Sequence, residues 1–116
     1  MKTFKDYYEE QRNLQMHIKN KDEIKLIDAT EMYNSATAMM VEIGEMLQED
    51  TRWKSKIVHS NKIPVYHREN FIKESVDVFL YFLNSIIFAG ISPQEFENAV
   101  EKVYKDNCRR FGYESK

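Results

Sequence analysis

The 116-residue sequence is poor in the residues that interrupt helices, with three glycines and two prolines. So few breakers argue against many short strands joined by tight turns and favour long helices. One cysteine, Cys108, cannot form an internal disulfide, and such a chain suits a reducing compartment, so a cytoplasmic location is expected. Charge of one sign is not in excess: 17 basic against 19 acidic residues leave a formal net charge of -2. Direct binding to nucleic acid or to an anionic membrane surface is therefore not expected. The first ten residues, MKTFKDYYEE, lack the apolar core of a signal sequence. The longest apolar stretch, Val78 to Gly90, is broken by Asn84 and Ser85 and is too short to span a bilayer.

What is present is enough for a packed core. Apolar residues make up 42% of the chain and aromatics 13%, and the length suits one domain over residues 1–116. The spacing predicts four helices. The first runs from about Phe4 to Lys19 behind Thr3 as N-cap. The second starts near Asp28, which forms the pattern of a capping box with Glu31, and ends near Glu49. Its apolar residues recur at Met32, Ala36, Met39, Met40, Ile43, Met46 and Leu47, which is helical spacing. Thr51 to Tyr66 is irregular and reads as a loop with at most one helical turn. The third helix spans about His67 to Ala89, with Gly90 as the residue beyond its end. Ser92-Pro93-Gln94-Glu95 then opens the fourth, which reaches about Arg109.

The third helix carries an unusual amount of apolar surface. Phe71, Ile72, Val76, Phe79, Leu80, Leu83, Ile86 and Ile87 form one broad face, and Val78, Phe82 and Ala89 extend it. A helix apolar nearly all round is expected to be buried. In so small a chain this excess predicts a second surface covered by another subunit.

Two pairs of carboxylates stand out. Glu74 and Asp77 lie three residues apart on that third helix and so share a face, which Tyr81 and Asn84 continue. Charges on a buried helix are costly unless paired, hydrogen bonded or bound to metal. Glu42 and Glu45 repeat the spacing on the second helix, where a solvated acidic stripe is the plain alternative. The alternative for Glu74 and Asp77 is a pair favoured by the helix N-terminus, although that dipole fades within the first turn. Four carboxylates brought together by packing of the two helices would require cations. Hard oxygen donors of this kind select magnesium, manganese or calcium over zinc, and facing helices of bundles hold two metals in this way.

At these residues the sequence resembles the all-α nucleoside triphosphate pyrophosphatases, the superfamily of the MazG-type enzymes and the dimeric dUTPases. The motifs are Glu42-Ile-Gly-Glu45 and Glu74-Ser-Val-Asp77. The resemblance is strongest to the phage-type dCTP/dUTP pyrophosphatases and covers most of the chain. Gln11-Arg-Asn-Leu-Gln15, Trp53-Lys54, the stretch from Glu74 to Asn84, and the tail from Lys105 to Tyr113 all take part. Val41 stands where that branch often has a further Glu, the segment between Trp53 and Glu74 is short, and the tail is compressed.

The resemblance implies an all-α bundle of four to five helices that assembles as a homodimer or homotetramer. It implies a hydrolase that converts a dNTP, dUTP and/or dCTP first of all, to the monophosphate and pyrophosphate. Its cofactor would be Mg2+, with Mn2+ as a substitute. Glu42, Glu45, Glu74 and Asp77 would hold the metal, and Glu42 or Glu45 would orient or deprotonate the attacking water. Gln15, Trp53 and Asn84 would contact the base or sugar. Lys54, Lys105, Asn107, Arg109, Arg110 and Tyr113 would complete the substrate site at the phosphate chain. For a phage-encoded chain the compartment would be the host cytoplasm. Two other readings remain open at this level. One is a MazG-like pyrophosphatase for purine or modified nucleotides. The other is a non-catalytic helical binding protein that uses its apolar third helix to hold a partner.

Overall fold

The helices begin where short-range capping patterns place them. The computed structural model describes residues 1–19, 28–52 and 65–114. Helix α1 (Phe4–Ile18) opens on a complete capping box, with Thr3 accepting from the Asp6 amide and Asp6 accepting from the Thr3 amide at 2.7 Å. Helix α4 (Pro93–Arg110) opens on the expected box of Ser92 and Glu95. Helix α2 (Ala29–Gln48) has half of its box. Asp28 accepts from the Glu31 amide at 3.1 Å, but the Glu31 carboxylate turns to Lys19 at 2.6 Å. An ion pair to the end of α1 replaces the reciprocal bond. Helix α3 (Arg68–Phe88) has His67 at its N-cap with no side-chain capping bond.

Glycine ends two of the four. Gly90 has φ 76°, and the amides of Gly90 and Ile91 reach back to the carbonyls of Ile87 and Ile86 at 3.1 and 3.0 Å. This is a Schellman closure, which needs a left-handed residue that glycine adopts without steric cost. Gly112, at φ 67°, closes α4 in the same way, with the Tyr113 amide on the Cys108 carbonyl at 2.8 Å.

Helix α2 runs along α3 as the main pair, α1 leans on α3, and α4 packs on α1. The core lies where these meet. Tyr8, Leu83, Ile86, Ile87 and Phe88 are buried, with Phe4, Met16, Met32, Phe79 and Phe96 among the side chains packed against them. Each such aliphatic or aromatic side chain contributes about 1.5–3 kcal/mol when fully withdrawn from water. Polar ties fix the corner: Tyr8 donates its hydroxyl to the Ile91 carbonyl at 2.8 Å. The Asp28 amide donates to the Phe88 carbonyl at 2.9 Å, which ties the start of α2 to the end of α3. The chain turns by 111° between α3 and α4.

The expectation of a third helix buried nearly all round needs correction for the single chain. Leu83, Asn84, Ile86, Ile87 and Phe88 are buried, but Ile72 and Val76 are exposed and Phe71, Val78 and Phe79 half-buried. Among the described residues, α1 and α2 pack along α3, and Phe96 of α4 meets Phe82 toward its C-terminal end.

The two ends of the α2–α3 connection are pinned together. Asp50 and Tyr66 form an isolated antiparallel bridge, the Thr51 amide donates to the Val65 carbonyl at 2.8 Å, and the His67 amide donates to the Glu49 carbonyl at 2.7 Å. Arg52 pairs with Asp50 at 2.8 Å and lies 4.0 Å over the Tyr66 ring. Residues 53–64, and with them Trp53 and Lys54, lie outside the described residues. Among the described residues the fold is all-α, and no single helix is long and apolar enough to cross a membrane.

Candidate functional site

The i, i+3 spacing puts Glu42 and Glu45 on one face of α2, and Glu74 and Asp77 on one face of α3. Packing of α2 along α3 then brings three of them together. Glu42, Glu45 and Glu74 each offer a carboxylate oxygen within 4.8 Å of the other two. Glu42 and Glu74 are half-buried, while Glu45 is exposed. The Oε2 atoms of Glu42 and Glu74 are both withdrawn from solvent, and neither has a hydrogen-bond partner. A buried polar atom left unsatisfied carries a desolvation cost of about 1–3 kcal/mol, more when charged.

The electrostatics follow from this crowding. Glu42 is pushed up from its ordinary value of 4.5 to about 7. Desolvation is the largest cause, followed by the closeness of the Glu74 carboxylate, with which only a protonated Glu42 could share a proton, then by Glu45 and by the charge of Asp77. Like charges held close in a partly dry site disfavour ionisation. An acid of this strength can exchange a proton near neutral pH.

Asp77 stands apart from the three-glutamate cluster. It lines a neighbouring pocket of about 200 Å³ with Gln11, Gln15, Leu80, Tyr81 and Asn84. Gln11 and Asn84, from α1 and α3, are buried there, and Gln11 Nε2 donates to Asn84 Oδ1 at 2.9 Å. Gln15 and Asn84, expected at a base or sugar, thus share one cavity wall with a metal-ligand candidate. Sequence reasoning gave no role to Gln11. The available signal was its position four residues before Gln15, one helical turn away on the same face. Tyr81 lies on the Asp77–Asn84 stripe and also had no role assigned.

The basic tail is placed elsewhere. Lys105 and Arg109 border an open groove on α4 with Asn98, Glu101, Lys102 and Asp106. Lys105 pairs with Glu101 and Arg109 with Asp106. The Arg110 guanidinium lies 5.2 Å from the Phe111 ring, and Tyr113 is exposed. Asn107 borders a second, apolar groove with Phe96, Ala99, Val100, Val103 and Tyr104. Helix α4 makes no helix contact with α2. Within one chain these tail residues do not join the carboxylates.

A family model described as dUTPase matches residues 3–112. The chain belongs to this dUTPase family. No curated protein and no solved structure matches it. The matched span takes in the four carboxylates, the pocket and the tail through Gly112. The family is one of nucleotide pyrophosphatases, hydrolases that act on phosphoric anhydrides and typically use a divalent metal. The site's own chemistry fits such an ion. Its donors are hard carboxylate oxygens, which suit magnesium or manganese. Two of those oxygens are buried without a partner, where a cation would balance them.

Proposed function

We propose that residues 1–116 form a single-domain, magnesium-dependent pyrophosphohydrolase of deoxynucleoside triphosphates, acting on dUTP and/or dCTP as the phage-type enzymes do. The observation that carries this reading is the pair of buried, unpartnered oxygens on Glu42 and Glu74 inside a three-glutamate cluster. A solvated acidic stripe does not bury its oxygens, and a pure interaction surface has no use for charges that cost stability.

Glu42, Glu45 and Glu74 would hold the metal, with Asp77 beside them at the pocket edge. When bound, magnesium supplies charge neutralisation between the carboxylates and the phosphate chain and polarises the phosphate oxygens. The remaining work falls to side chains. Glu42 or Glu45 orients the attacking water and takes its proton as the water oxygen bonds to phosphorus. The bridging α–β bond breaks, and its oxygen leaves with the other phosphorus, giving a nucleoside monophosphate and pyrophosphate. Gln15 and Asn84 hold the nucleoside in the cavity next to Asp77, with Trp53 at the base and Lys54 at the phosphate chain.

The tail acts in an assembly. Its basic residues lie at the far end of α4, whose exposed Val100, Val103 and Tyr104 leave an apolar stripe uncovered. The radius of gyration is 17.7 Å, against about 13 Å for a compact chain of this length. A second copy covering the stripe would make the assembly compact and carry Lys105, Asn107, Arg109 and Arg110 toward a partner's acidic site. Guanidinium forks there match phosphate geometry.

The test is pyrophosphate release from a panel of deoxynucleoside triphosphates with and without magnesium. Magnesium-dependent release from dUTP or dCTP is expected. No turnover of any nucleotide, together with metal binding by Glu74→Gln equal to that of the wild type, would overturn the reading.

A further inference from the structure

The nucleoside cavity contains a polar contact that the hydrolytic reading does not use. Gln11 and Asn84 are 8% and 6% exposed and come from helices that meet only through tertiary packing. Their amides are joined by one bond, from Gln11 Nε2 to Asn84 Oδ1 at 2.9 Å. Both side chains also line the cavity shared with Gln15, Asp77, Leu80 and Tyr81. An asparagine amide has a donor end and an acceptor end, and a buried one presents to its cavity whichever end its neighbours leave free.

We propose that Gln11 is a positioning residue that locks the Asn84 amide with its NH2 group toward the nucleoside, so that the pocket selects an acceptor oxygen there. The inference rests on the hydrolase reading above and deepens it. The Asn84 carbonyl is engaged by Gln11, which leaves the Asn84 NH2 as the group available to a ligand. The opposite orientation would turn a carbonyl toward a cavity that already holds the acceptor-only Asp77 carboxylate. The Gln11 bond thus holds the arrangement that the cavity's own charge favours. A donor at this point bonds to a base carbonyl or a sugar hydroxyl oxygen, which accepts, and disfavours an exocyclic amine. This is discrimination by hydrogen-bond polarity, which hydrophobic fit alone supplies weakly.

The test compares Gln11→Glu with Gln11→Leu in the full chain. At a pH high enough to ionise it beside Asp77, the carboxylate in the first variant can only accept, so Asn84 must rotate to donate to it and turn its carbonyl to the cavity. The second variant removes the bond without imposing an orientation. Dissociation constants are measured with magnesium for non-hydrolysable dUTP and dCTP analogues and for a 3′-deoxy dUTP analogue. KM and kcat are measured alongside. Loss of a buried hydrogen bond to ligand predicts about tenfold weaker dUTP binding by Gln11→Glu, expressed in Kd and KM with little change in kcat. If the oxygen is the base O4, which cytosine replaces by an amine, the dUTP-to-dCTP preference falls in Gln11→Glu and less in Gln11→Leu; if it is O2, which both bases carry, both nucleotides lose more in Gln11→Glu than in Gln11→Leu and the 3′-deoxy analogue keeps the penalty. If it is on the sugar, the penalty disappears with the 3′-deoxy analogue and base preference is kept. Equal losses for every nucleotide in both variants, while the wild type turns over triphosphates, would overturn the lock and leave the hydrolase reading standing. A wild type that binds no nucleotide would remove both.

Discussion

Glu42 on α2 and Glu74 on α3 face each other across the helix pair with one buried, unpartnered carboxylate oxygen apiece. Their oxygens lie within 4.8 Å of each other. The arrangement is destabilising without a cation, so a divalent ion should act as a folding ligand. Magnesium or manganese at a hundredfold excess over its dissociation constant should stabilise the chain by about 2.7 kcal/mol. In a chain of this size that raises Tm by roughly 10 °C or more. Differential scanning fluorimetry with and without metal measures it. Glu74→Gln should lose the metal response and start from a higher metal-free Tm, because it removes charge from the crowded site. A metal-free variant less stable than the wild type would contradict this account.

The pH dependence of the metal-free protein follows from Glu42. Its pKa rises from 4.5 to about 7 on folding, so between these values the native state binds more protons than the unfolded one. Stability therefore falls as pH rises through that window. The contribution is fully retained below 4.5 and lost once pH passes 7. Thermal unfolding in chelator from pH 5 to pH 8 should show a declining Tm, and Glu42→Gln should flatten the decline. An unchanged slope in that variant would assign the titration to another group.

How much of this was legible in the sequence depends on distance along the chain. Thr3, Asp28, Ser92 and Gly90 mark helix ends through contacts within a few residues, and each sits where the pattern placed it. The Glu31 arm was misread because Lys19, from another helix, competes for the same carboxylate. The carboxylate pairs were visible as i, i+3 spacings, but their convergence depends on how α2 lies along α3. Gln11 was passed over because its partner Asn84 is 73 residues away. The position of the tail was illegible for a similar reason: the 111° turn between α3 and α4 directs it, and no local motif encodes that angle.

Asp77 lies beside the glutamate cluster rather than in it, yet its charge reaches Glu42. Asp77→Asn should keep the fold, since asparagine is nearly isosteric with aspartate and Asp77 is half-buried rather than in the core. Activity should fall by at least about 10- to 100-fold, the range for losing a group that supports a metal site. Steady-state turnover alongside circular dichroism checks both halves. Normal hydrolysis by the variant would remove Asp77 from the site.

The Ser92 hydroxyl accepts from the Glu95 amide, and the Ser92 amide donates in return to the Glu95 carboxylate. Ser92→Ala should therefore cost about 1 kcal/mol, read as a lower denaturation midpoint with an unchanged m-value. Because α4 packs on α1 and not on α2, the metal-induced rise in Tm should survive the substitution. Loss of that rise would mean that α4 supports the carboxylate site within a single chain.

Val100 and Val103 are 52% and 56% exposed on α4, one turn apart on the stripe that includes the half-buried Phe96. If a second copy covers this stripe, each valine is buried in the assembly but free in the monomer. Val100→Asp with Val103→Asp should then weaken association by roughly 4 kcal/mol or more, about a thousandfold in Kd, because unpaired charge would enter an apolar contact. Sedimentation should show the mass fall to that of one chain, with helicity retained in circular dichroism. Turnover should fall with it, since Lys105, Arg109 and Arg110 do not reach the carboxylates within one chain. Arg109→Ala and Arg110→Ala in the assembled protein should instead raise KM for triphosphates, one more than the other, and leave the mass unchanged. A wild type that sediments as one chain and hydrolyses at full rate would detach the tail from the site and leave the acidic cluster of α2 and α3 to act alone.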